Sequence, residues 1–284
     1  MLDVILCTYN SENTINKCVD SILNQTFTDF TLHIFDDSSN DSTIELLKKY
    51  KDTRLRIIRS PKNVGTYAGK NYILRNFCNH KFIALHDSDD WSEKERFEKQ
   101  INFMLDKEVV CVGTAVKEFN KNSDSHTVSN NSFVKNTRIN TYDYEITNEI
   151  LLDAKNSLLY DYNNYLKLKF CMNGTIMLTH KILRELGGWD AQTRIAADTD
   201  LFLRILSKHS IYNLQEQLYC RTFHNKSLTA TKEFGINSDI RQKYNIARLP
   251  MIDLAIQGKA VKRHFEYPNL EYKEIVKRTN FIKE

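Results

Sequence analysis

Phe82-Ile83-Ala84-Leu85-His86-Asp87-Ser88-Asp89-Asp90-Trp91 runs from four mostly apolar residues into three carboxylates within four positions. The apolar run suits a buried strand. Asp87, Asp89 and Asp90 repel one another and are costly to desolvate unless something positive sits among them. Hard divalent cations take oxygen ligands, and Mg²⁺ is usually held by one or two carboxylates plus substrate phosphates. Taken alone, the cluster also reads as an acidic turn in water. Its surroundings decide.

Upstream, strand and helix signals alternate. Residues 3–7 (DVILC) read as a strand, and residues 11–25 as a helix with Ile15, Cys18, Val19, Ile22 and Leu23 on one face and Ser11 or Asn13 as cap. TLHIF, a helix around Thr43 to Tyr50, RLRIIR, a helix around Ala68 to Phe77, and FIAL follow. This alternation predicts an α/β fold with a wound, mostly parallel central sheet and flanking helices. In such sheets ligands bind beyond the carboxyl ends of the strands. Thr8-Tyr9-Asn10, FDDSSND and HDSDD all fall at those ends. Each alone reads as a turn; their coincidence at one sheet edge marks a site.

Past Glu93 the pattern changes. A helix carrying Phe97, Ile101 and Leu105 leads to VVCVG and AVKEF, read as adjoining strands, and residues 120–140 read as a polar loop. Tyrosine-rich segments, the strand-like CMNGTIML, GGWD, and a helix over AADTDLFLRIL follow. From Ile236 the chain reads as helical and peripheral. The expected organisation is residues 1–95 and 96–235 as two halves of the same domain, and 236–284 as a helical C-terminal extension.

Composition narrows the class. With 41% hydrophobic and 27% charged residues in 284, the chain can bury a core and is not a disordered polymer. No run approaches the roughly 20 apolar residues of a membrane span, and the start has no basic leader, so a cytoplasmic location is expected. The six scattered cysteines have no zinc spacing and read as reduced core thiols. A net charge of +4 is too small to imply a nucleic-acid partner. Lys259 to Glu284 holds seven Lys/Arg against four Asp/Glu, a tail that either forms a solvated face or touches acidic lipid at the inner face of a membrane.

The ordered blocks VILCTYN, SILNQTFTDF, FDDSSNDST, NVGTYAGKN, FIALHDSDDW, GGWD with ADTDLFLR, and RTFHNKSLT resemble the inverting family 2 glycosyltransferases of the GT-A fold, over roughly residues 2–230. The resemblance implies a UDP-sugar donor, Mn²⁺ or Mg²⁺ as cofactor, and a glycan or lipid-linked glycan acceptor, in bacterial surface polysaccharide synthesis. It makes residues 1–95 the nucleotide-sugar-binding half and 96–235 the acceptor-binding and catalytic half, of a free enzyme or of a domain in a larger polymerase. Asp87-Ser88-Asp89 matches the family's DxD, with Asp89 the direct metal ligand and Asp87 reaching the ribose or the metal's waters. Tyr9 matches the aromatic that stacks on uracil, and Asp37 the acceptor of the uracil N3–H. An acceptor there suits uracil or thymine and not cytosine. Cys7, beside Tyr9, joins the donor set. Lys70 stands where the family often has Arg. Asp198 matches the base that deprotonates the acceptor, with Asp200 as the competing carboxylate because Ala197 replaces the usual preceding acid. His224 matches a metal or diphosphate ligand. Trp189 and Asp190 of GGWD are assigned to the acceptor, Trp189 either stacking on a sugar or filling the core. A haloacid-dehalogenase-type phosphohydrolase would place its nucleophile after the first strand, which ends here in Cys-Thr-Tyr-Asn. A non-catalytic sugar-binding module would lack the base or the metal ligands.

Overall fold

The computed structural model describes residues 1–120, 128–129, 144–146, 171–223, 231–235, 238–247, 249–264 and 268–276. Apolar runs form the centre of the sheet. Strands β1 (Leu2–Thr8), β2 (Phe30–Asp36), β3 (Leu55–Arg59) and β4 (Phe82–Asp87) are parallel, in the order β3-β2-β1-β4. Nearly every residue of β1, β2 and β4 is buried. Such runs, covered on both faces, are the mark of a central parallel sheet.

Helices α1 (Ile15–Leu23), α2 (Thr43–Leu47) and α3 (Thr66–Asn76) connect these strands. Ile15, Cys18, Val19 and Ile22 form the buried face of α1, as their spacing predicts. Gly69 of α3 lies so close to Phe35 that a Cβ would stand 2.5 Å from its ring, which fixes how tightly α3 seats on β2.

Beyond β4 come β5 (Trp91–Ser92), α4 (Arg96–Asp106), β6 (Cys111–Asn120), β7 (Val128–Ser129) and β8 (Tyr144–Ile146). After these lie a 3₁₀ turn at Asn173–Thr175, β9 (Met177–Thr179), α5 (His180–Leu186), α6 (Ala197–Leu206) and β10 (Ile211–Phe223). The sheet continues β4-β9-β6-β10-β5, with β9 antiparallel to both neighbours and β6 parallel to β10. VVCVG and AVKEF lie in one continuous strand rather than two. Most of the predicted polar loop, with Tyr142, Tyr160, Tyr162 and Tyr165, lies outside the described residues.

The C-terminal extension differs from its prediction. Helices α7 (Asp239–Ala247) and α8 (Leu249–Ile256) are present, but Ile252 and Ala255 of α8 are buried in the main core. Residues Lys273–Val276 then form β11, antiparallel to β3 at the edge of the sheet. The extension therefore completes the domain instead of lying outside it. No described helix is long and apolar enough to cross a membrane.

Candidate active site

The three polar strand ends meet at one edge of the sheet and are laced together. The Asp37 N–H donates to the Thr8 carbonyl at 2.8 Å, the Asn10 N–H to Ser39 Oγ at 2.9 Å, and the Asn40 N–H to Asn10 Oδ1 at 2.9 Å. Ser11 and Ser88 share a hydroxyl hydrogen bond of 2.9 Å, which ties the end of β1 to the acidic loop. Asn10 and Ser38 take left-handed backbone conformations, φ 51° and 68°. Short polar residues tolerate that region best, and it turns each loop sharply back toward the edge.

Tyr9 is 48% exposed, an aromatic ring presented to solvent at the mouth of the site. Asp37 is buried, and its two oxygens accept the Val64 and Gly65 N–H groups at 2.7 and 2.9 Å. Burial pushes its carboxyl above the usual range while those bonds pull it down. Asp36 is fully buried against Arg59, at 3.3 Å, and accepts the Ser39 N–H, so it shapes the loop. Cys7 is half-buried, its thiol donating to the Thr66 carbonyl at 3.4 Å; burial raises it to about 12, which keeps it a neutral thiol.

In the acidic loop the three carboxylates divide. Asp87 is half-buried; desolvation and then the Asp89 charge raise its pKa, while Lys70 and Arg221 lower it. Asp89 is half-buried beside it. Asp90 is 3% exposed and faces inward, accepting the Thr222 N–H at 2.8 Å and a hydrogen bond from the Tyr219 hydroxyl. The same Tyr219 oxygen accepts the Asp87 N–H at 3.2 Å. Asp90 and Tyr219 thus bolt the loop to β10, a role the sequence did not assign. His86 beneath the loop is fully buried with its pKa lowered to about 3 by burial and then by Arg96, so its ring is neutral.

Lys70 is 1% exposed, and its Nζ has no hydrogen-bond partner among the described residues, lying between the rings of Tyr67 and Trp189 at 5.7 and 5.9 Å. A buried ammonium without a carboxylate or carbonyl partner is costly. Its position beside Asp87 makes it a ready counter-charge for an anion. Hard oxygen donors at Asp87 and Asp89 next to such a cation fit a divalent ion holding a diphosphate.

Asp198 sits in the first turn of α6, half-buried, with one oxygen accepting the Thr199 N–H at 3.0 Å. Its charge is the smallest of the contributions that raise the Asp87 carboxyl. Asp200 is 1% exposed and bound to Arg204 at 2.8 Å and Arg263 at 2.8 Å. It is occupied by the framework.

Two assignments change. Trp189 is 0% exposed, so neither ring face is open to a sugar; its backbone is held by Asn71 through two hydrogen bonds and its ring fills the core. Asp190 is buried and paired with Arg263 at 3.1 Å, and so fastens the C-terminal segment instead of meeting an acceptor. His224 lies outside the described residues. Arg221 on β10, the first residue of the RTFHNKSLT block, pairs with Glu118 at 3.3 Å and lowers the Asp87 carboxyl, a role the sequence did not assign.

Comparison with known proteins agrees with this architecture. The family model described as Glycosyl transferase family 2 matches residues 3–187. Glycosyltransferase EpsE of Bacillus subtilis (strain 168) is 29% identical over 276 residues, 93% of this chain and 89% of that protein. Hyaluronan synthase of Pasteurella multocida is 27% identical over 275 residues, 95% of this chain but 25% of that protein. The crystal structure of S. aureus TarS 1–349 in complex with UDP-GlcNAc superposes with a TM-score of 0.62 at 18% identity, over 89% of this chain and 72% of that one.

Proposed function

From the premise that the chain belongs to glycosyl transferase family 2, we propose that it moves a sugar from a UDP-sugar to a hydroxyl of a glycan acceptor, with inversion at the anomeric carbon. The observation that carries this reading is the convergence, at one sheet edge, of exposed Tyr9, buried Asp37, the Asp87–Asp89 loop and the buried Lys70 ammonium, which has no hydrogen-bond partner among the described residues. The TarS structure, similar in fold and solved with UDP-GlcNAc, supports the donor class.

Tyr9 stacks on the uracil, and Asp37 accepts its N3–H with lone pairs left over from the Val64 and Gly65 amides. Thr8, whose hydroxyl is buried without a partner among the described residues, lines the same pocket edge. Asp87 and Asp89 would hold Mn²⁺ or Mg²⁺, which when bound supplies Lewis-acid stabilisation of the departing diphosphate. Lys70 meets the same negative charge directly. Asp198 takes the proton of the acceptor hydroxyl; the oxygen then attacks the anomeric carbon, and the bond from that carbon to the phosphate oxygen breaks with its electron pair leaving on UDP. Surface polysaccharide synthesis at the inner face of the membrane is the setting that fits. The hyaluronan synthase relative, about four times longer than its matched region, fits use of such a unit within a polymerase.

UDP release from UDP-glucose, UDP-galactose and their N-acetyl forms, with and without EDTA, tests the reading. One donor should release UDP, and EDTA should stop it. Calorimetry should show metal-dependent UDP binding in the wild type and none in Asp89→Ala. EDTA-insensitive, unchanged affinity in that variant overturns the assignment of the loop.

A further inference from the structure

At the opposite edge of the sheet a second cluster of polar side chains is buried under the N-terminal end of β1. Asp3, His33 and Cys78 are 0%, 2% and 6% exposed, and one ligand atom from each lies within 4.8 Å of the others. Asp3 Oδ1 stands 2.8 Å from His33 Nε2 and 2.9 Å from His80 Nδ1. Asp3 Oδ2 accepts the backbone N–H groups of Asn79 and His80, both at 2.9 Å, which fixes the carboxylate's orientation. His33 Nδ1 is buried with no hydrogen-bond partner among the described residues. His180 closes the corner, its Nδ1 against the His80 carbonyl at 3.1 Å and its Nε2 likewise buried without a partner among the described residues.

We propose that Asp3, His33 and Cys78 hold a structural zinc ion, with the His80 ring turning in from Asp3 as the fourth ligand, about 13 Å along β1 from the transfer site at about 3.3 Å per residue. The donor set of one thiolate, two imidazoles and one carboxylate is the kind zinc selects. Bond lengths of about 2.0–2.3 Å in a tetrahedral site separate neighbouring ligand atoms by about 3.3–3.7 Å. The Asp3 contacts to His33 and His80 at 2.8 and 2.9 Å need open only slightly to reach that range, while the thiol and the His80 ring need to move in. Charge also balances: Zn²⁺ with one thiolate and one carboxylate is neutral, as a buried site requires. Binding releases the Cys78 thiol proton to solvent, and each imidazole gives a lone pair from one nitrogen while keeping its proton on the other. Of the cations facing the cluster, Arg56 is paired with Glu274 at 3.1 Å, and Arg184 lies further along α5. The acidic loop of the transfer site offers carboxylate oxygens, so loss of a thiolate band in Cys78→Ser tells the two sites apart.

Full-length protein stripped with EDTA and titrated with Co²⁺ tests the proposal. A near-ultraviolet thiolate-to-cobalt band should appear at one equivalent, disappear when one equivalent of Zn²⁺ is added, and be absent in Cys78→Ser. Asp89→Ala should leave it unchanged. No band in the wild type, or a band that survives in Cys78→Ser, overturns the site. If Cys78→Ser does not fold by circular dichroism, half-exposed His80→Ala decides: Zn²⁺ affinity should fall by about tenfold or more, and unchanged affinity overturns the proposal.

Discussion

Asp198 and Asp200 stand two positions apart on one helical turn and have different surroundings. Asp198 is half-buried with only the neighbouring Thr199 N–H on its carboxylate among the described residues, whereas Asp200 is locked between Arg204 and Arg263. Asp198→Asn keeps the shape and removes the basicity, so kcat should fall by about 10²–10⁴-fold with little change in KM. Asp200→Asn should instead lower stability by about 3–5 kcal/mol, because it leaves buried Arg204 poorly compensated. Steady-state kinetics and thermal melts of both variants separate the two roles. A further consequence concerns pH. Burial raises Asp87 and Asp90 above the ordinary carboxyl range, so the folded chain holds these protons to higher pH than the unfolded chain does. Their favourable contribution is present below the ordinary carboxyl pKa and is lost as pH rises through the raised values. Asp90→Asn, which keeps an oxygen for the Thr222 N–H, should therefore raise the Tm of the metal-free protein at about pH 8, and do so less at about pH 5.

At the scale of elements, the site depends on how β10 and the 3₁₀ turn press against the end of β4. A Cβ on Gly174 would lie 2.3 Å from the Tyr219 hydroxyl and 2.7 Å from Asp87 Oδ2. Gly174→Ala should displace both, cost about 1–3 kcal/mol, and weaken metal-dependent UDP binding in calorimetry. The sequence announced the strands β1, β2 and β4 because an unbroken apolar run ending in Asp, Asn and Ser has few other readings. It misled around Gly113, where VVCVG and AVKEF read as two adjoining strands. A Cβ there would stand 2.6 Å from Cys171, so the glycine answers to a distant neighbour and the strand runs straight through it. Trp189 was open to two readings because GGWD has no periodicity to say which way the ring turns. Lys273–Val276 sits in a basic, polar stretch whose alternation is too short to register, and only pairing with β3 makes it a strand.

At the scale of the molecule, residues distant in sequence hold α6 in place. Arg263 reaches from the C-terminal segment to Asp190 and Asp200, and its backbone N–H donates to the Leu186 carbonyl at 2.9 Å. Arg263→Ala should lower the Tm and reduce kcat together, since α6 carries both Asp200 and Asp198; a full-rate variant with an unchanged melt would refute that link. The pairing of β11 with β3 has a consequence for synthesis. Arg59 leaves the ribosome roughly 200 residues before Lys273, its partner in the ladder, which is about 10–40 s at about 5–20 residues per second. For that interval β3 is an open edge, and an open edge invites pairing with another chain. Polysomes crowd such nascent chains together, so the time spent waiting for the last strand, more than the stability of the finished protein, should govern how much of it escapes aggregation.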